Sequence, residues 1–196
     1  MKIHAREEQS TARERAAKKL NAVDVKDTTE RARHLELWLG ATMESLKILQ
    51  EIYSKIIPRL IHDPEINAGL ETLARIARDS DDVLSPYADK YKASNDYGRT
   101  MSEGLRDSLF PKDDKANAYE ALVTLQGLLV YLTNIEGHLV ALVPATLAEW
   151  DEGFHKAVGR AMDNNMRTQS WVRHELNVRA PQTLIVPSKV LWKDLS

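Results

Sequence analysis

The sequence that decides the fold is KANAYEALVTLQGLLVYLTNIEGHLVALVPATLA, residues 115–148, which is apolar around nearly the whole circumference of a helix. Helices that are hydrophobic on every face are usually buried, so we expect neighbouring helices to surround this segment. Asn134, Glu136 and His138 interrupt the apolar run, and we expect them to be buried against a neighbour. The stretch therefore predicts the central member of a helical bundle.

The same stretch is long enough to cross a membrane. Glu136 and His138 fall near its middle, and a charged side chain at the centre of a bilayer costs about 2.5–3.5 kcal/mol on insertion scales. A helix inside a soluble bundle carries no such cost. We therefore predict no transmembrane segment.

Two long helices are predicted before this stretch. The first begins at the capping residues Asp27-Thr28-Thr29-Glu30 and continues to Leu60, with a kink or an end at Pro58. The second begins at Asp63-Pro64, an aspartate cap followed by proline at the first helical position. Alternating spacings of four and three indicate one packed face on the first helix. Its residues are Leu35, Leu39, Thr42, Leu46, Leu49, Tyr53, Ile56 and Leu60.

Two more long helices and one short helix complete the prediction. The central helix begins near Asp113 and reaches about Leu142, after which Pro144 marks either a turn or a bend. The last helix runs from about Thr146 to Asn177. A capping box opens a short helix over residues 100–109.

These elements predict an all-α fold, with four long helices in an up-down-up-down bundle over residues 27–179. An extended dimer of fewer, kinked helices is the second arrangement. Residues 1–26 are charged and alanine-rich, which predicts a helical or flexible N-terminal arm. Residues 180–196 are predicted to form an extended C-terminal tail, because Pro181 and Pro187 interrupt helical structure.

Composition excludes several classes of function. The chain contains no cysteine, which excludes a disulfide scaffold, a thiolate zinc site and a cysteine nucleophile. Its N-terminus lacks the apolar run of a signal peptide. We expect the protein in the cytoplasm or another reducing intracellular compartment.

Charge is distributed unevenly along the chain. The balance is +3 over residues 1–34, −9 over residues 35–155 and +4 over residues 156–196. Basic ends on an acidic body can bind a partner, a second copy or the body itself. Neither end interleaves dense basic residues with aromatic ones, so we predict no nucleic-acid binding.

The sequence offers one candidate metal site. Glu152 and His155 have the Glu-x-x-His spacing of ferritin-like bundles, which places both side chains on one face of a helix. Glu136 occupies a position where the helical pattern calls for an apolar residue, and it would be the third ligand. Iron or manganese is the metal that such carboxylate-rich bundles hold. The second Glu-x-x-His of that template is missing from residues 64–92.

The C-terminal segment carries the candidate interaction residues. Apolar side chains and one tryptophan in an extended tail are typical of a docking segment. These residues are Leu184, Ile185, Val186, Leu191 and Trp192.

The leading hypothesis is therefore a non-catalytic helical-bundle protein that acts through protein–protein contacts, as a homo-oligomer or as a subunit of a larger assembly. One alternative is a ferritin-like metal-dependent oxidoreductase. The other is an elongated helical dimer that binds a membrane surface through the basic residues of segment 1–34.

Overall fold

The structure, a computed structural model, describes residues 25–61, 63–110 and 118–185. Within these ranges the secondary structure is helical and no strand occurs, which confirms the all-α prediction. The packing below concerns the compact unit that begins at Leu35. The five helices are α1 (Val25–Arg59), α2 (Pro64–Lys90), α3 (Asp96–Leu109), α4 (Ala118–Ala148) and α5 (Glu152–Ile185).

The packed face of α1 is the one that its periodicity predicts. All eight residues named for that face are buried, because alternating spacings of three and four place them on one side of the helix. The helix ends at Arg59, one residue after Pro58, as the proline predicts.

Hydrogen bonds across the core give the direction of each helix. Trp38 Nε1 of α1 donates to the carbonyl oxygen of His138 of α4 (3.0 Å). Ser45, which comes later in α1, accepts at its carbonyl oxygen from Tyr131, which comes earlier in α4 (3.3 Å). The helices α1 and α4 are therefore antiparallel. Bonds between α1 and α2 show the same reversal. Ser45 also bonds Ser102 of α3, and α3 runs parallel to α1.

These directions correct the predicted topology. Because α2 and α4 are both antiparallel to α1, the second and third long helices run the same way. The four long helices are therefore ordered up, down, down, up, and the predicted up-down-up-down order is wrong. The cause is α3, which carries the chain back to the end of the bundle where α2 began, so that α4 runs in the same direction as α2.

At each end of the antiparallel pair α2 and α5, an aspartate that caps one helix also bonds a basic residue of the other helix. Asp63 caps the first turn of α2 and also accepts hydrogen bonds from Arg179 near the end of α5. Asp151 caps the first turn of α5 and also accepts a hydrogen bond from Lys90 at the end of α2 (2.7 Å). Each aspartate thus caps one helix and holds the last part of the other.

Several helix boundaries differ from the prediction: α3 begins at Asp96, before the predicted capping box at residue 100, and α5 begins at Glu152 and not near Thr146. Pro144 lies inside α4, which continues to Ala148, so this proline is not a turn between helices. The helix α5 continues through Pro181 to Ile185, so residues 180–185 are not extended. The contacts of Arg179 hold this part of α5 against α2, and one proline removes only a single backbone donor. Residues 1–24 and 186–196, where the arm and the rest of the tail are predicted, lie outside the described residues.

Two glycines allow α3 and the segment before it to approach α1. A Cβ on Gly40 would overlap the backbone of Ser94, and a Cβ on Gly98 would overlap the backbone of Ala41. The Ser94 N–H donates to the carbonyl oxygen of Glu36 (3.1 Å). Backbone contact of this kind is open only to glycine.

Candidate functional site

Two of the predicted metal ligands are already engaged with other side chains. The carboxylate of Glu152 forms an ion pair with Lys156 (2.7 Å), and the hydrogen bond from Lys156 lowers the pKa of Glu152. The side chain of Glu152 is 81% exposed. His155 Nδ1 lies 2.8 Å from the hydroxyl of Thr146, at the other end of the α4–α5 connection.

The third predicted ligand lies elsewhere. Glu136 accepts a hydrogen bond from Gln169 (2.8 Å), fourteen residues along α5 from His155, or roughly 21 Å at the rise of an α-helix. In the part of the chain that the structure describes, no three histidine, aspartate or glutamate residues form a group that could hold a metal. The Glu-x-x-His spacing places two residues on one helix face but carries no information about what the neighbouring helix places opposite them.

The predicted interaction residues fall largely beyond the structure. Leu184 lies in the last turn of α5 and is exposed. The side chain of Ile185 and all of Val186, Leu191 and Trp192 lie outside the described residues. Their role as docking residues stays a prediction.

A buried polar cluster joins three helices. The hydroxyls of Ser45 and Ser102 lie 2.9 Å apart, and Ser45 Oγ lies 3.4 Å from His138 Nδ1. The indole of Trp38 meets the His138 ring edge-on, with ring centroids 5.3 Å apart. Burial lowers the pKa of His138.

This cluster is structural. A serine and a histidine within hydrogen-bond distance are also the beginning of a nucleophilic site, but such a site must admit a substrate. Here both serines are fully buried and His138 is only 4% exposed. The cluster satisfies polar groups between α1, α3 and α4, and thereby fixes how these three helices pack.

An open groove of about 930 Å³ lies between α2 and α5. Its cations are partly neutralised, since Arg160 forms an ion pair with Asp79, and Asn164 donates to the same carboxylate (2.7 Å). The hydrogen bonds from Asn164 and Arg160 lower the pKa of Asp79. Most of these charges lie on exposed side chains, where water screens them. The charged residues that line the groove are Arg75, Asp79, Lys156, Arg160, Asp163 and Arg167.

The most unusual surface is on α4. Within the described part of this helix ten residues are exposed, and none of the ten carries a charge. We call these residues the uncharged face. It extends from Val123 to Ala148, about 38 Å at 1.5 Å per residue. Contiguous exposed surfaces without charge usually mark interaction sites. The ten residues are Val123, Gln126, Val130, Thr133, Gly137, Val140, Ala141, Pro144, Leu147 and Ala148.

Trp150 lies two residues after the end of the uncharged face, beyond the exposed Glu149. Its side chain is 93% exposed and its φ is +55°, a left-handed conformation that is unfavourable for a bulky residue. An exposed indole gains no packing energy in the monomer, and the backbone conformation adds strain. Trp150 therefore does not pack in the core of the described residues.

The uncharged face also corrects an expectation about α4. By length and composition Glu120–Ala148 is the one helix among the described residues that could cross a membrane, although core helices of soluble proteins pass the same test. Only 39% of its most apolar window is buried. The expectation that neighbours surround this helix on every side is therefore wrong, because one face remains open to solvent.

Comparison with protein-family models, with curated proteins and with solved structures found no match to this chain. The fold therefore defines an all-α protein of five helices within the described ranges. Its function must be argued from its own surfaces. The spacing of Val123, Val130, Val140 and Leu147 places them on one side of the helix, but the sequence does not indicate that this side stays uncovered.

Proposed function

We propose that this chain acts through protein–protein contact and that the uncharged face of α4, with Trp150 at its end, is the contact surface. The observation that supports the proposal is the absence of charge from all ten exposed positions of α4 in the described part of that helix. The other face of α4 packs in the core through Leu125, Leu132 and Leu139. The helix is therefore held rigidly while its outer face stays available.

A protein partner fits this surface better than a membrane surface does. Helices that lie on membranes combine deeply apolar side chains with lysine and arginine on the polar face. The segment from Ala121 to Ala148 contains no lysine or arginine, and Glu136 is its one acidic residue. Four residues of the uncharged face are small, and small residues allow close approach of another backbone. They are Thr133, Gly137, Ala141 and Ala148.

The test places a photo-crosslinking amino acid at Val130 in the chain expressed in its native cells. Val130 lies in the uncharged face and is 44% exposed, while Met166 on α5 is 53% exposed and provides a matched control. We expect a defined crosslinked protein species from position 130 and none from position 166. Crosslinking to lipid alone, or equal products from both positions, would overturn the proposal.

A charged variant gives a second readout. The double substitution Val130→Glu, Val140→Glu should leave the helical circular-dichroism spectrum unchanged, since both side chains are exposed, while the crosslinked species disappears. Co-sedimentation of the wild-type chain with neutral and anionic vesicles measures the membrane alternative directly. Binding to vesicles that the double substitution abolishes would favour a lipid surface over a protein.

A further inference from the structure

We infer that the partner on the uncharged face is a second copy of this chain, paired α4 against α4 about a two-fold axis with the helices antiparallel. This inference rests on the proposed function, because it names the occupant of the same surface. It is carried by the spacing, the size and the charge of the exposed residues of α4.

The spacing of the exposed residues is that of a helix-packing seam. Eight of the ten members of the uncharged face follow one another at alternating intervals of three and four residues. Helices that pack side by side present this repeat to each other. We call these eight residues the α4 seam: Val123, Gln126, Val130, Thr133, Gly137, Val140, Pro144 and Leu147.

The positions of the α4 seam are symmetric in the sequence about Ile135. Thr133 and Gly137 lie two residues from this midpoint, and Val130 and Val140 lie five residues from it. A two-fold axis at the midpoint would therefore place Val130 of one copy against Val140 of the other. Isologous interfaces have this property, in which residue i contacts residue j and residue j contacts residue i.

The sizes of the seam residues fit two crossing helices. Crossing helices approach most closely at the centre and diverge towards their ends. The centre of the seam holds Thr133 and Gly137, and a Cβ on Gly137 would meet no other atom within 4 Å in the monomer. Leucine and valine lie further out, where more space must be filled. Gly137 leaves room that no residue of the described ranges fills.

Charge favours a second copy as well. Like charges that face each other across an interface cost binding free energy. The α4 seam has no charged member, so the same face can meet itself without repulsion. Half-buried apolar residues beside the seam, among them Leu122, Leu129 and Val143, enlarge the uncharged patch.

The test uses engineered cysteines, which the absence of native cysteine makes unambiguous. The antiparallel pairing places residue 130 opposite residue 140, within reach of a disulfide. Two copies of residue 130 would lie roughly 15 Å apart along the helix axis. A mixture of the Val130→Cys and Val140→Cys chains should therefore oxidise to a species of twice the 22.2 kDa chain mass. Each variant alone should give at least tenfold less of it.

The controls make each outcome decisive. Met166→Cys, on an exposed position of α5, should form no more dimer than either single variant. Equal dimer from Val130→Cys alone would indicate parallel or random pairing and would overturn the inference. So would the absence of dimer in the mixture, or its appearance only after deletion of residues 186–196, since that segment would then cover the face.

The failures of the two proposals are distinguishable. If the cysteine mixture gives no dimer while the photo-crosslink at Val130 captures a different protein, the second copy is excluded and protein contact through this face stands. If neither experiment gives a product at the uncharged face, both proposals fail together.

Discussion

The backbone of α1 at Gly40 lies directly against the backbone of Ser94, so that a Cβ on Gly40 would overlap the Ser94 carbonyl group. The segment that leads into α3 is fixed to α1 at this point, because the Ser94 N–H also donates to the Glu36 carbonyl oxygen. The contact positions α3, and with it Ser102 of the buried polar cluster. Gly40, together with Gly98, thus allows the middle of the chain to pack closely against the first helix.

Gly40→Ala should lower the free energy of unfolding by about 3 kcal/mol, the upper range for inserting atoms into a packed region. The neighbouring atoms are backbone, so no side-chain rearrangement relieves the overlap. Chemical denaturation measures the change. Gly104→Ala is the control, because a Cβ on Gly104 would meet nothing within 4 Å, and it should instead gain about 0.5–1 kcal/mol. Equal effects of the two substitutions would contradict the contact.

Tyr53→Phe should leave stability unchanged or raise it by up to about 1 kcal/mol. The Tyr53 hydroxyl is buried and has no hydrogen-bond partner among the described residues, and burial raises its pKa. Tyr131→Phe is the matched control. The Tyr131 hydroxyl donates to the Ser45 carbonyl oxygen (3.3 Å), so its removal should cost about 0.5–1.5 kcal/mol. A larger loss for Tyr53→Phe than for Tyr131→Phe would show that the Tyr53 hydroxyl has a partner.

Stability should fall as the pH is lowered below about 6.5, the ordinary pKa of histidine, because of His138. Burial lowers the pKa of His138 in the folded state, so in this range the unfolded chain binds the proton more readily than the folded one. The contribution is fully present above the unfolded pKa and is lost as the pH falls towards the folded pKa. The groups that surround the ring are Trp38, Ser45 and the Ser102 hydroxyl bonded to Ser45.

Thermal unfolding between pH 8 and pH 5 measures this dependence. The variant His138→Gln should show a smaller decrease across the same range, because glutamine does not titrate. An unchanged pH dependence in the variant would assign the decrease to other groups.

Asp63→Ala should cost about 1–2 kcal/mol, because it removes the cap of α2 together with the contact to Arg179. Asp63→Asn keeps a capping oxygen and should cost less. The difference between the two variants measures the cap. The remaining loss in the asparagine variant measures the charge interaction with Arg179, and it should shrink in high salt.

Trp150→Gly should raise stability by about 1 kcal/mol, since glycine adopts the positive φ of this position without strain. The same substitution should reduce the cysteine crosslinking between positions 130 and 140. Lys92→Gly is the matched control, because Lys92 also has a positive φ (+52°). It should gain stability without any effect on crosslinking. Loss of crosslinking in both variants would show that Trp150 has no particular part in association.

The helices of this fold could be predicted because their signals are local. The Asp63-Pro64 cap and the apolar periodicity of α1 depend on neighbours within a few residues, and the structure agrees with both. The direction of α4 could not be predicted in the same way. It depends on α3 crossing the bundle, and that crossing depends on contacts between Gly40 and Ser94, which are far apart in the sequence.

The candidate site shows the same limit. The sequence marks α4 as apolar all round, but hydrophobicity alone does not say which face a neighbour covers. Leu125 and Val130 are both aliphatic, yet the packing of the neighbouring helices buries the first and leaves the second exposed. Similarly, Glu152 and His155 lie close together on one helix, whereas the position of Glu136 opposite Gln169 follows from the packing of α4 on α5.

The two aspartates at opposite ends of the α2–α5 pair fix the register of one helix against the other. If α5 moved by one helical turn along α2, about 5.4 Å, both Asp63–Arg179 and Lys90–Asp151 would separate at once. A shift in either direction breaks both contacts, because they lie at opposite ends of the same pair. These four side chains therefore favour a single register of α5 against α2.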